Sequence, residues 1–212
     1  MWSWDISYCP SAVRGQHWYL YLIMDIYSRK IVAWEVHEAE SGDLARRLVE
    51  RALLREGCWL DPPVLHSDNG APMTSYTLKA RLADLGMLMS HSRPRVSNDN
   101  PYSESLFRTV KYCPEWPSKG FQSLTAVRDW MLAFEDAYNE QHLHSGIRFV
   151  TPADRHRGTD YERLAHRKMV YERAKRRNPR RWSGPTRNWE VTGPVSLNPG
   201  KLQEIERNKL AA

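Results

Sequence analysis

The sequence predicts an α/β domain built around a sheet of mixed strand direction. Three observations carry that expectation. Strand-like segments fill the first 36 residues, helical and strand periodicities alternate after Ser41, and 212 residues with 41% apolar and 26% charged content suffice for one domain core and a short appended segment.

Trp2 to Tyr8 alternates apolar and polar, Trp18 to Tyr27 is rich in aromatic and branched residues, and Ile31 to Val36 is apolar after the turn-like Ser28-Arg29-Lys30. These predict a three-stranded meander. Ser41 is a candidate N-cap, followed by Leu44, Ala45, Leu48, Val49, Ala52 and Leu53 at helical spacing and a stop at Gly57. A short strand over Val64 to His66 leads into Ser67-Asp68-Asn69-Gly70, whose Asn-Gly reads as turn chemistry. A helix through Leu78, Leu82 and Leu85 then stops at Gly86, Met87 to Ser90 offers a strand, and His91 to Tyr102 reads as a surface loop. Asn100 and Pro101 read as an N-cap and first helical residue, which puts Glu104 in the first turn. Leu124, Val127, Met131, Phe134 and Tyr138 mark an amphipathic helix, and Thr159 with Glu162 a capping box ahead of the last helix, which ends at Asn178-Pro179. Beyond Arg180, Pro, Gly and Asn predict an extended basic tail. Trp4, Trp18, Trp34 and Trp130 are core candidates, whereas Trp182 and Trp189 fit no predicted element.

Composition excludes several classes of function. Cys9, Cys58 and Cys113 are odd in number and form no Cys-x-x-Cys pair, which argues against a disulfide framework or a zinc knuckle. No apolar run reaches the roughly 18 residues of a membrane span, so the expected location is cytoplasmic. Arg155 to Arg187 holds 12 Lys and Arg against 3 Asp and Glu, a net of +9, whereas the whole chain carries +6. A basic segment of this kind suits a phosphate backbone, and also suits an ordinary solvated helix.

Asp5 falls inside the first strand, Asp68 at a strand end and Glu104 at a helix start, so three acids distant in sequence can meet at one sheet edge. Hard divalent cations take oxygen ligands, and phosphoryl transfer uses two of them, so a carboxylate trio is a candidate metal site. Taken singly, each acid reads more readily as a surface or capping residue.

The interval of 35 residues between Asp68 and Glu104, with the motifs around it, resembles the DDE transposases and retroviral integrases. Trp4-Asp5-Ile6, His66 to Gly70, Pro94 to Pro101 and Glu104 to Lys111 are similar to the second-frame product of a large family of bacterial insertion sequences. Tyr138 to Ser145, Thr151-Pro152-Ala153 and Asn178 to Trp182 extend the likeness over nearly the whole chain. The resemblance implies a ribonuclease H-like, mixed five-stranded sheet flanked by helices. It divides the chain into a catalytic core over residues 1–155 and a basic C-terminal helix and tail over 156–212. It further implies a bacterial, nucleoid-associated recombinase that cleaves DNA and transfers a 3′-hydroxyl with two Mg²⁺ or Mn²⁺ ions. Asp5 would bridge both ions, and Asp68 and Glu104 would each complete one. The implied partners are element-end and target DNA, further copies of the chain on that DNA, and a separate or fused helix-turn-helix part.

Lys111, seven positions after Glu104, returns to within 20° of the same helix face and is a candidate DNA contact, as are Arg93, Arg95 and Arg108. Asp25 reads as structural, and His142 and His144 as capping or packing residues. Members of this family carry an N-terminal helical recognition region, whereas Asp5 here follows Met1 by four residues. A truncated, inactive or regulatory transposase fragment is therefore the second reading, and a simple ribonuclease H-type nuclease the third.

Overall fold

The computed structural model describes residues 1–93 and 99–197. By packing, the chain divides into two units, one formed by Met1–Ile26, Val32–Met131 and the segment from Val195, the other by Tyr27–Ile31 and Leu132–Pro194. The packing division falls at residue 131, away from the functional boundary expected at 155.

The first unit contains a five-stranded sheet of order β3-β2-β1-β4-β5. Strands β1 (Trp2–Pro10), β2 (His17–Asp25) and β3 (Ile31–His37) are the predicted meander. β1 pairs antiparallel with β2, Asp5 opposite Leu22, and parallel with β4 (Leu65–Ser67). β5 (Met89–His91) runs parallel to β4, which makes the sheet mixed and β1 central.

Side-chain alternation along β1 sorts its residues onto two faces. Trp2, Trp4 and Ile6 join an apolar core with Ala45, Leu48, Val49, Ala52 and Leu53 of α1 (Gly42–Arg55), Met73 of α2 (Ala71–Thr74), and Leu78 and Leu82 of α3 (Tyr76–Asp84). Ser41 caps α1 by accepting from the Asp43 N–H, as expected. Ser3, Asp5, Ser7 and Cys9 point to the opposite face, where α4 (Pro101–Lys111) packs with Ser103, Leu106, Phe107 and Val110 buried. The sheet thus sits between helices, and the acid on its central strand faces α4.

Helix α5 (Leu124–Asp136) carries the chain from the first unit into the second. It ends in a widened π turn over Ala137–Gln141, closed by the His142 N–H donating to the Ala137 carbonyl at 2.9 Å. Within the second unit Phe134, Tyr138 and His142 stack ring on ring, and His144 meets Tyr138 edge-on. The two histidines pack here as the sequence suggests. Thr151 caps α6 (Pro152–Arg157). The capping box expected ahead of α7 (Asp160–Arg177) does not form: the Thr159 side chain accepts from no helix N–H, and the Thr159 N–H that Glu162 would take donates to the Asp154 carbonyl at 2.9 Å.

The described part of the tail, residues 182–197, is extended in backbone yet packed, and the rest of the expected tail lies outside the described residues. Trp189, unplaced by periodicity, is buried with Ile147, Val150 and Leu164, and the Arg187 guanidinium lies 4.5 Å from the Phe149 ring centroid and 5.4 Å from that of Trp189. Arg155 is wholly buried, donating to the Tyr27 carbonyl at 2.8 Å and the Thr192 carbonyl at 2.6 Å. A buried guanidinium needs such partners, since an unpaired one would carry a large desolvation cost.

Candidate active site

Register brings the first two acids together. Ser3 of β1 pairs with His66 of β4, so two residues further along, Asp5 stands level with Asp68, one position past the end of β4. Neighbouring strands lie about 4.8 Å apart, which sets the scale of their approach. Glu104 enters from α4, on an exposed face that it shares with Arg108 and Lys111.

The charges of the other two acids reach Asp5. The Asp5 carboxyl is pushed up to about 7, first by burial, with further upward contributions from the charges of Asp68 and Glu104. The Ile6 N–H, which donates to Asp5 Oδ1 at 2.7 Å, and the Lys111 ammonium act in the other direction. Two acids and one lysine, from three other places in the sequence, therefore act on Asp5 by their charge. Among the described residues no three His, Cys, Asp or Glu side chains, these acids included, stand close enough to hold a metal ion by themselves.

Asp68 is oriented by its own turn, Oδ1 accepting from the Gly70 N–H at 2.9 Å. The expected conformational role of Asn69-Gly70 needs correcting. Gly70 has φ −58°, open to any residue, and glycine fits there because a Cβ would stand 2.9 Å from Met73 Sδ and 3.1 Å from Asp68 Oδ1. Asn69 spans to the residue just past β5, its amide donating to the Ser92 carbonyl at 2.8 Å.

The segment that delivers Glu104 is pinned at several points. Asp99 and Asn100, expected in a surface loop, are buried. Arg93 donates to both carboxylate oxygens of Asp99, at 2.8 and 2.9 Å, and holds that acid down at about 2. His66 Nε2–H donates to the Asp99 carbonyl at 2.9 Å, and its Nδ1 accepts from the Ser90 hydroxyl at 3.0 Å, an arrangement that suits the neutral ring favoured by burial. Asn100 does not cap α4. Its side chain bonds Ser3 and the Trp4 carbonyl of β1, and Ser103 also reaches Ser3.

The candidate DNA contacts thus separate. Lys111 stands within the field of Asp5, and also of buried Cys9. Arg108 is exposed, its guanidinium 5.8 Å from the Tyr112 ring centroid. Arg93 is tied to Asp99 although its side chain remains 57% exposed. Arg95 lies outside the described residues. Sequence reasoning does not single out Ser3, Asp99 or Ser103, and the one available signal is a serine on the buried parity of a central strand.

Comparison with known proteins gives a consistent result. Two family models, each described as an integrase core domain, match residues 1–97 and 85–152. A transposase for insertion sequence element IS904 of Lactococcus lactis subsp. lactis is 28% identical over 158 residues, covering 73% of this chain and 60% of that protein. Transposase InsF for insertion sequence IS3fB of Escherichia coli is 28% identical over 112 residues, covering 52% and 37%. The chain therefore spans about three fifths or less of these relatives. Among solved structures, the catalytic domain of Mos1 mariner transposase aligns with TM-score 0.53 at 17% identity, over 64% of this chain and 69% of that one. The HTLV-2 integrase catalytic core domain in complex with magnesium aligns with TM-score 0.53 at 15% identity, over 73% and 94%.

Proposed function

The chain belongs to the integrase core family, and on that premise we propose that it is the catalytic part of a bacterial insertion-sequence transposase, cutting and joining DNA strands at Asp5, Asp68 and Glu104. What supports this reading is that Asp5, a half-buried carboxyl raised to about 7 first by burial, also feels the charges of Asp68 and Glu104. Such a carboxyl is short of positive charge, and its hard oxygen donors suit Mg²⁺ or Mn²⁺.

Magnesium is commonly held by one or two carboxylates together with substrate phosphate, so the acids need not form a complete metal site before DNA binds. Two such ions, when bound, would activate the attacking oxygen and stabilise the leaving one. Asp5 would be shared between them, with Asp68 and Glu104 each serving one. Gly70 fixes Asp68 through Oδ1, which limits the rotation of that carboxylate. The Lys111 ammonium would hold a DNA phosphate beside the acids, and Arg108 would follow the backbone along the same exposed face of α4. Arg93, and Arg95 by its place in the sequence, would contact DNA at the neighbouring loop. No protein nucleophile is needed, since water or a DNA 3′-hydroxyl attacks and positioning supplies much of the rate.

Catalysis would occupy residues 1–155, and the basic segment 156–212 would add phosphate contacts. Copies of the chain would assemble on DNA, in line with the description of the HTLV-2 core in a dimeric form. A helix-turn-helix part, fused or separate, would recognise the element ends.

The test is to incubate the chain with Mg²⁺ or Mn²⁺ and labelled DNA carrying its own element's ends, alongside Asp68→Asn. Metal-dependent strand transfer, reduced by at least 100-fold in the variant, is the expected result, roughly 2.7 kcal/mol of transition-state stabilisation. Strand transfer that survives Asp68→Asn overturns the site, and DNA binding without chemistry overturns the enzymatic reading.

A further inference from the structure

We propose that Ser3, Asn100 and Ser103 form a buried polar clamp that sets the register of α4 against β1, and so act as positioning residues that bring Glu104 to Asp5 and Asp68. This rests on the carboxylate site proposed above.

The hydrogen-bond roles are fixed by chemistry. The Trp4 carbonyl can only accept, so the Asn100 atom facing it at 3.2 Å is the amide nitrogen, and the amide oxygen faces Ser3. Ser3 gives its single hydroxyl proton to that oxygen. The contact at 2.6 Å between the Ser3 and Ser103 hydroxyls must then run from Ser103 to Ser3. Each hydroxyl proton in the knot has an acceptor, and the three side chains are buried, Ser3 and Ser103 completely.

Placement gives the knot its meaning. Ser3 and Asp5 share a face of β1, two residues apart, and Ser103 immediately precedes Glu104. Leu106, Phe107 and Val110 already supply the apolar contact of α4, but apolar surfaces are non-directional and tolerate sliding or rotation of a helix. Directed hydrogen bonds do not. A rotation of α4 by one residue, about 100°, would carry Glu104 away from the acids. The other fixings of this segment, His66 to the Asp99 carbonyl and Arg93 to the Asp99 carboxylate, hold it at the β4 and β5 side. The clamp ties it to the strand bearing Asp5.

The experiment compares the chain with Asn100→Ala, Ser103→Ala and Asp68→Asn, each bound to element-end DNA. It measures the Mg²⁺ concentration for half-maximal strand transfer, Mn²⁺ affinity from the electron paramagnetic resonance signal of free Mn²⁺, and the thermal midpoint. Loss of groups that orient metal ligands commonly weakens metal affinity 10–100-fold. Both clamp variants should need roughly tenfold more Mg²⁺ and bind Mn²⁺ about tenfold more weakly, with transfer recovering at high metal. A purely structural role would lower the midpoint and leave Mn²⁺ affinity intact below it, which would overturn the clamp. Ser103→Ala removes a single donor and keeps the proposal testable if Asn100→Ala does not fold. If Asp68→Asn itself leaves transfer and Mn²⁺ binding unchanged, the carboxylate site fails first.

Discussion

Asp5 is the residue on which the site's electrostatics turn, and its shifted acidity makes a stability prediction. A carboxyl with an ordinary value of 3.8 when unfolded and about 7 when folded binds more protons in the native state between those limits. Stability therefore falls as pH rises from about 4 to 7, and the full penalty applies above 7. In metal-free buffer, Asp5→Asn should raise the thermal midpoint by several degrees at pH 8 and change it little at pH 4, as followed by circular dichroism. A variant less stable than the parent at both pH values would contradict the burial and repulsion assigned to Asp5. At Gly70 the expectation concerns activity more than stability. The Cβ of Gly70→Ala would press on Met73 Sδ and Asp68 Oδ1. Strand transfer should fall by about tenfold or more while the chain stays folded, since a small misplacement of a reacting group is costly. The three acids are proposed from their spacing and the motifs around them, and the structure adds the charges of Asp68 and Glu104 acting on Asp5. The clamp was not legible in the sequence, because an asparagine before Pro101 has the chemistry of an N-cap whichever way its side chain turns.

At the scale of elements, periodicity found what was long enough to show it. The meander and α1 follow from alternation and from the 3.6-residue repeat, and Ser41 caps where a capping serine should. β4 and β5 are three residues each, too short for alternation to set their ends, and α2 has only four residues. The π turn after α5 depends on a single shifted carbonyl, which no local pattern announces. Helix α1 supplies a test of the core it was predicted to line. Leu48 is 1% exposed among Trp2, Trp4, Ala52 and their neighbours, so Leu48→Ala should cost about 2–5 kcal/mol in denaturant unfolding. A destabilisation well under 1 kcal/mol would mean that α1 packs elsewhere. Gly120 is the matching backbone case, with φ +79° and a Cβ position 2.5 Å from the Ser11 carbonyl oxygen. Gly120→Ala should cost at least about 1 kcal/mol, because neither backbone can yield without straining the other.

Across the whole molecule, charge is distributed as the sequence indicated, with the basic excess in the second unit. Arg173, Arg176, Arg177 and Arg180 are exposed, and among the described residues their guanidinium groups have no ion-pair or hydrogen-bond partner. Neutralising all four to Gln should leave folding intact and flatten the salt dependence of DNA binding. In a plot of log affinity against log salt, the slope should shrink by about 0.9 for each DNA phosphate that an arginine no longer neutralises. An unchanged slope would remove this segment from the DNA interface. No helix among the described residues is long and apolar enough to cross a membrane. The matched relatives extend well beyond the span they share with this chain, which is why recognition of element ends is proposed for another part.

The clamp joins residues 97 and 100 positions apart, and that separation bears on time as well as place. Pairings so distant along the chain form only after a long loop has closed, a slow step compared with local helix growth. On a ribosome, Asp5 emerges about a hundred residues before Glu104. The nascent polypeptide therefore holds its first acid for many seconds of synthesis, at roughly 5–20 residues per second, before a complete trio can assemble. If the proposed site is right, a strand-cutting centre split in this way would stay inert until most of its fold exists.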